Sequence, residues 1–241
     1  MTTPCHRCPL RRLALFDELS DDQLAFMDKF KSGELRVQPR TVILMEGARS
    51  PQLFTVLSGL GLRYKTLPNG RRQVLNFLMP GDFIGLQGAV MEEMQHSVEA
   101  VTEMTLCVFR RSELWTLFRM QPNRAFDLTW LVATEENFLG EALATIGQRS
   151  ATERIAWASV RLLDRFEALG LARDRVILFP FRQQDLADTL GLSLVHTNKT
   201  LAKLKERKLV DWSEGYLTVY DPDELARIAS VDREVPRRPL M

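Results

Sequence analysis

The sequence predicts an α+β protein made, in order, of a β roll, one long helix and a C-terminal helical pair with a β hairpin. Three observations carry that expectation. From about Val37 to Phe109 short apolar runs are divided by turn signals. From Asn123 to Gln148 there is no proline, and apolar residues recur every three or four places. Beyond Phe181 two short amphipathic segments flank a glycine and lead into two strand-like runs. At 241 residues, 45% hydrophobic and 26% charged, the chain has the balance of a globular protein able to bury a core.

The β region reads TVILMEG, LFTVLSG, LGLRYKTLPNG, QVLNFLMPGD, FIGLQG, SVEAV and LCVF. Asn69-Gly70 is its strongest hairpin signal because both residues tolerate positive φ, and Ser58-Gly59 and Pro80-Gly81-Asp82 mark further corners. Many short strands at this spacing indicate a barrel or roll rather than strands alternating with helices.

In the long helix, glycine occurs only at Gly140 and Gly147, and Leu128, Val132, Leu139, Ala142 and Ile146 form an apolar stripe. Trp130, Leu131, Phe138 and Leu143 widen it, so one side is expected to cover the roll and the other to pair with a second copy of the helix. Ser150-Ala-Thr-Glu153 is a capping-box pattern that starts a new helix. The expected divisions are therefore 1–122 for the N-terminal segment and roll, 123–149 for the long helix, and 150–241 for the C-terminal domain.

In that domain Leu186, Ala187 and Leu190 share a helical face, Gly191 permits a sharp turn, Ser193 caps the next helix, and Leu201 and Leu204 return to the core. His196, Asn198 and Lys199 point outward. Between Ser193 and Lys208 five basic residues (Lys199, Lys203, Lys205, Arg207 and Lys208) meet one acid, Glu206, which makes a surface suited to phosphates. LVDWSEGYLTVYD then reads as two strands around Glu214-Gly215. An unrelated helical hairpin with solvated lysines would explain the helices, but pattern, basic bias and wing together favour double-stranded DNA binding.

Global charge carries no such signal, since 32 Lys and Arg nearly cancel 31 Asp and Glu. No apolar run approaches the ~20 residues of a spanning helix, so no membrane partner and a cytoplasmic location are expected. Three cysteines, an odd number at distant positions, suit a reducing compartment. His6, His96 and His196 stand apart and define no catalytic centre, so the chain is not expected to be an enzyme.

From about Leu15 to Ala229 the chain resembles the Crp/Fnr superfamily of bacterial transcription regulators, through MPGDFIGL in the roll, the long helix and LGLSLVHTNKTL in the helix pair. The resemblance implies a cyclic-nucleotide-binding-type β roll, a dimerisation helix and a winged helix-turn-helix. It further implies a homodimer on an inverted repeat, with about Ser193–Lys203 in the major groove and a contact to RNA polymerase. It places Ser193, His196, Thr197, Asn198 and Lys199 at the DNA, and Gln183 and Gln184 at phosphate-contacting positions, where they otherwise serve as solvated polar caps. Lys199 stands where the family usually has a guanine-reading Arg, which keeps the charge and loses the bidentate fork. Val195 stands where many members carry a base-accepting Glu.

Cyclic-nucleotide receptors of the superfamily carry a Gly-Glu pair and an Arg-Ser pair, and here these read Gly85-Leu86 and His96-Ser97. Both charged anchors are missing, so no response to cAMP is expected. Oxygen-sensing members hold an iron–sulfur cluster with four cysteines. Cys5, Cys8 and Cys107 match three, with Ala14 or Phe16 in place of the other. The expectation is no cofactor and no metal, with the pair near an exposed terminus. The alternative is an oxygen- or redox-sensing regulator whose cluster or other cofactor is held by Cys5, Cys8 and Cys107.

Overall fold

The structure is a computed structural model that describes residues 2–233 and 235–241. The chain forms two compact units: one reaches Thr134 and also includes Arg237–Met241, and the other spans Glu135–Pro236. The last five residues, expected in the C-terminal domain, therefore belong to the N-terminal unit, for reasons of packing set out below.

The first unit opens with two short 3-10 turns (Cys5–Arg7 and Pro9–Arg12), followed by helix α1 (Asp21–Phe30), whose N-terminal amides are met by a capping box between Ser20 and Gln23. Eight strands follow: β1 (Lys31–Val37), β2 (Val42–Leu44), β3 (Gln52–Ser58), β4 (Gly61–Thr66), β5 (Arg72–Leu78), β6 (Phe83–Ile84), β7 (Ser97–Ala100) and β8 (Met104–Arg110). Short helix α2 (Leu86–Val90) lies between β6 and β7. The strands make two antiparallel sheets in the orders β1-β8-β3-β6 and β2-β7-β4-β5, a roll filled by Phe54, Val56, Leu78, Val98, Met104 and Leu106. The Asn69-Gly70 corner joins β4 to β5, with Gly70 at φ 78°. Gly59 is obligatory: at φ 89°, a Cβ there would lie 2.3 Å from the Glu103 carbonyl oxygen.

Helix α3 (Leu114–Met120) leads into α4 (Pro122–Gln148), the long helix the periodicity predicts. The second unit continues with α5 (Ala151–Ala168), started by the predicted Ser150–Glu153 capping box. Next come β9 (Ala172–Arg173), β10 (Val176–Leu178), α6 (Gln183–Leu190), α7 (Leu194–Glu206), β11 (Val210–Ser213), β12 (Tyr216–Val219) and α8 (Pro222–Ala229). The wing is larger than the expected hairpin, since its sheet has the order β11-β12-β10-β9. Phe179 anchors it, packing its ring 4.7 Å from Phe181 and 5.0 Å from Trp212. Among the described residues no helix is long and apolar enough to cross a membrane.

Candidate nucleic-acid interface

The helix pair is built around one turn. Leu186, Ala187 and Leu190 bury one side of α6, and Gly191 ends it at φ 63°, the left-handed conformation that glycine adopts without strain. Arg154 of α5 donates to the Leu190 carbonyl at 3.0 Å and occupies an acceptor the helix end leaves free. Ser193 then accepts the His196 N–H at 3.2 Å and starts α7. Thr197, Thr200, Leu201 and Leu204 turn inward, which leaves Val195, His196, Asn198, Lys199, Ala202 and Lys203 on the outside.

That outer face is basic and uncommitted. Lys205 pairs with Asp211 at 2.9 Å and Arg207 lies 3.4 Å from Glu224, whereas Lys199 and Lys203 make no ion pair among the described residues. Two unpaired cations one helical turn apart, beside an amide and an imidazole, can bond phosphates and base edges together. Lys203, expected on the phosphate-facing surface and at the end of the groove-facing stretch, lies one turn beyond Lys199 on this exposed face.

The structure corrects one expected contact residue. Thr197 is 0% exposed, so it belongs to the packing side of α7, and its hydroxyl has no hydrogen-bond partner among the described residues. Ser193 is exposed, but its hydroxyl is already engaged as the helix cap. Gln184 is exposed and bonds Asp188 at 2.6 Å; Gln183 is half-buried.

The stripe on α4 is corrected too. Leu128 is only 2% exposed and serves the core of its own unit, so it is not available to a second helix. Ala142 and Ile146 are half-buried, and Phe138 stacks on Trp157 of α5 at 5.9 Å. The large apolar side chains of α4 left in solvent are Phe126 near its start and, further along, Val132, Leu139 and Leu143, the last 73% exposed. Arg161 of α5 reaches both carboxylate oxygens of Glu141 at 3.0 Å, which fixes the inward side of this part of α4.

In the roll, Gly85 sits at φ 95° before α2 and Leu86 offers no acceptor for a ribose hydroxyl. His96 is buried, and the Ser97 hydroxyl accepts the Glu46 N–H at 3.0 Å. This lining does not fit a cyclic nucleotide, which needs a carboxylate and a guanidinium.

Cys5, Cys8 and Cys107 do converge, since all three line one cleft beside Lys31. The N-terminal pair is held there, not exposed: Cys5 N–H donates to Asp28 at 2.5 Å, and both thiols are half-buried. Burial, then the Asp28 carboxylate, push the Cys5 thiol up to about 12, and burial pushes Cys107 up to about 11. Among the described residues no group of three or more His, Cys, Asp and Glu has a geometry that could hold a metal ion. The donor set thus does not fit a four-thiolate cluster.

Comparison with known proteins follows the same division. Residues 34–121 match the family described as cyclic nucleotide-binding domain, and residues 153–228 match the Crp-like helix-turn-helix domain. The nitrogen fixation regulation protein FixK of Rhizobium meliloti is 33% identical over 72% of this chain and 75% of its own. The chain belongs to the Crp/Fnr superfamily. This Crp/Fnr protein is also 27% identical to the transcriptional activatory protein AadR of Rhodopseudomonas palustris, over 95% of this chain and 97% of AadR. Its fold matches the solved structure of FixK2 from Bradyrhizobium japonicum with a TM-score of 0.74 at 23% identity, covering 83% of this chain and 98% of that one. It is a Crp/Fnr-type transcription regulator with a helix-turn-helix DNA-binding domain, and the relatives named here are regulators, not enzymes.

Proposed function

We propose that this regulator is a homodimer that binds an inverted repeat in double-stranded DNA, with α7 in the major groove and Lys199, Asn198, His196 and Lys203 facing the bases and phosphates. The capped, unpaired basic face of α7 carries the reading. Gln183 and Gln184 lie at the start of α6, the helix that crosses the backbone in this geometry. Val132, Leu139 and Leu143 supply the seam for the second copy, since an exposed apolar row on a long helix is otherwise unfavourable in water. AadR is named for transcriptional activation, and activation through a contact to RNA polymerase in the cytoplasm is the corresponding role here.

DNA binding in this reading needs neither cAMP nor an iron–sulfur cluster. The first follows from Leu86 and His96. The second follows from a donor set of three cysteines where a cluster takes four thiolates, although the shared cleft of those three is what the cluster-dependent alternative has in its favour. Selection of binding sites from random duplex DNA by protein purified without oxygen, with its iron measured, tests both points. An enriched inverted repeat bound by iron-free protein is the expected result; binding only by iron-loaded protein would establish the alternative.

A further inference from the structure

The cleft beside the three cysteines is closed on one side by the protein's own chain. Arg237–Met241 returns to the first unit, where Leu240 and Met241 are buried. Arg238 runs parallel to Phe16: its N–H donates to the Leu15 carbonyl at 2.9 Å, its carbonyl accepts the Asp17 N–H at 3.0 Å, and its guanidinium meets Asp82 at 3.1 Å. Strand-like backbone pairing with side-chain pockets on either side is how proteins capture extended peptides.

Two buried polar side chains show that the site is made for a carbonyl-bearing occupant. Thr55 of β3, 2% exposed, donates its hydroxyl to the main-chain oxygen of Met241 at 2.5 Å. Arg124 of α4, 1% exposed, donates one nitrogen to Asp127 at 2.6 Å and another to the Leu240 carbonyl, with the Met241 sulfur 3.1 Å away. Whatever fills this place must supply those acceptors, because buried donors without partners are costly. The occupant leaves room, however: about 480 Å³ of empty space, part of it open to solvent, remains between Leu240, Met241, Lys31 and Cys107.

We propose that this cleft is a peptide-binding site whose resident, exchangeable ligand is Arg237–Met241, recognised as an extended backbone with an arginine followed two places later by two apolar side chains.

The test reads the site without DNA. In full-length protein with Cys5→Ser and Cys8→Ser, Cys107 is the sole thiol, and its maleimide labelling rate is followed at constant pH. Leu240→Asp with Met241→Asp should eject the segment and speed labelling roughly tenfold or more, as opening of a covered site does. A saturating synthetic VPRRPLM peptide should restore the slow rate, while VPAAPAA should not. A folded variant whose rate is unchanged, or whose faster rate VPRRPLM leaves untouched, overturns the proposal. Should circular dichroism show that variant unfolded, Arg238→Ala decides in its place: acceleration reversed by VPRRPLM supports the site, and acceleration without reversal, or none, overturns it.

Discussion

Ile146 of α4 places its Cγ2 atom 3.2 Å from the point a Cβ on Gly191 would occupy. The turn of the helix pair is thus pressed against the end of the long helix by contact as well as by conformation. Gly191→Ala should destabilise the second unit by about 1–2 kcal/mol through the left-handed φ of 63° alone, with the close contact adding to it. A thermal melt checks this; an unchanged melting temperature would mean that the turn relaxes freely.

Lys199 and Thr197 should separate cleanly. Lys199→Ala should weaken specific DNA binding by about 1–3 kcal/mol if the lysine reads a base. Equal loss on specific and random duplexes would make it a phosphate contact instead. Thr197→Val should leave DNA affinity unchanged and be neutral or stabilising, because it removes a buried hydroxyl that has no partner. Fluorescence anisotropy with both duplexes, and a melt of each variant, reads all of these.

On α4 the choice of leucine matters. Leu139→Glu together with Leu143→Glu should give folded monomers that lose inverted-repeat binding, since both side chains stand in solvent in the single chain. Leu128→Glu should instead unfold the first unit, because a carboxylate at a 2% exposed core position has no partner. Sedimentation with circular dichroism distinguishes the two, and a stable dimer after the double change would move the interface to another face.

Cyclic AMP at millimolar concentration should leave both the melting temperature and the DNA affinity where they were. A ligand that binds only the folded state raises stability by RT ln(1 + [L]/Kd), so even modest affinity would be visible. An upward shift would overturn the argument from Leu86 and His96.

Why some of this was legible beforehand and some not has a physical basis. Local signals survived: the Ser150–Glu153 box, Gly191 and the Ser193 cap depend on neighbours a few residues away and form as read, and the Asn69-Gly70 corner also forms, though only Gly70 of the pair takes positive φ. Periodicity found α4 but not its faces, since Leu128 and Leu139 fit one stripe equally well and only the fold decides which is covered. Thr197 was misplaced for the same reason, lying on α7 between two outward residues. The return of Arg237–Met241 had no local signal at all, because its partners Thr55, Asp82 and Arg124 are more than a hundred residues away in sequence.

The cysteine cleft gives the last prediction. Burial raises the Cys107 thiol from 9.0 to about 11, and burial with Asp28 raises Cys5 to about 12. A raised thiol pKa favours the protonated folded state, so the stability linked to it is complete below pH 9 and declines as pH rises through about 11 to 12. Labelling of Cys107 in the native protein at pH 7.5, read in the Cys5→Ser, Cys8→Ser variant, should therefore be far slower than after unfolding. Cys5→Ser with Cys8→Ser should keep DNA affinity in oxygen-free buffer within a few tenths of a kcal/mol, since neither thiol is part of the α7 face. Fast labelling of the native protein, or loss of both iron and DNA binding in the double variant, would show thiolates at work in the cleft and restore the cluster-dependent alternative.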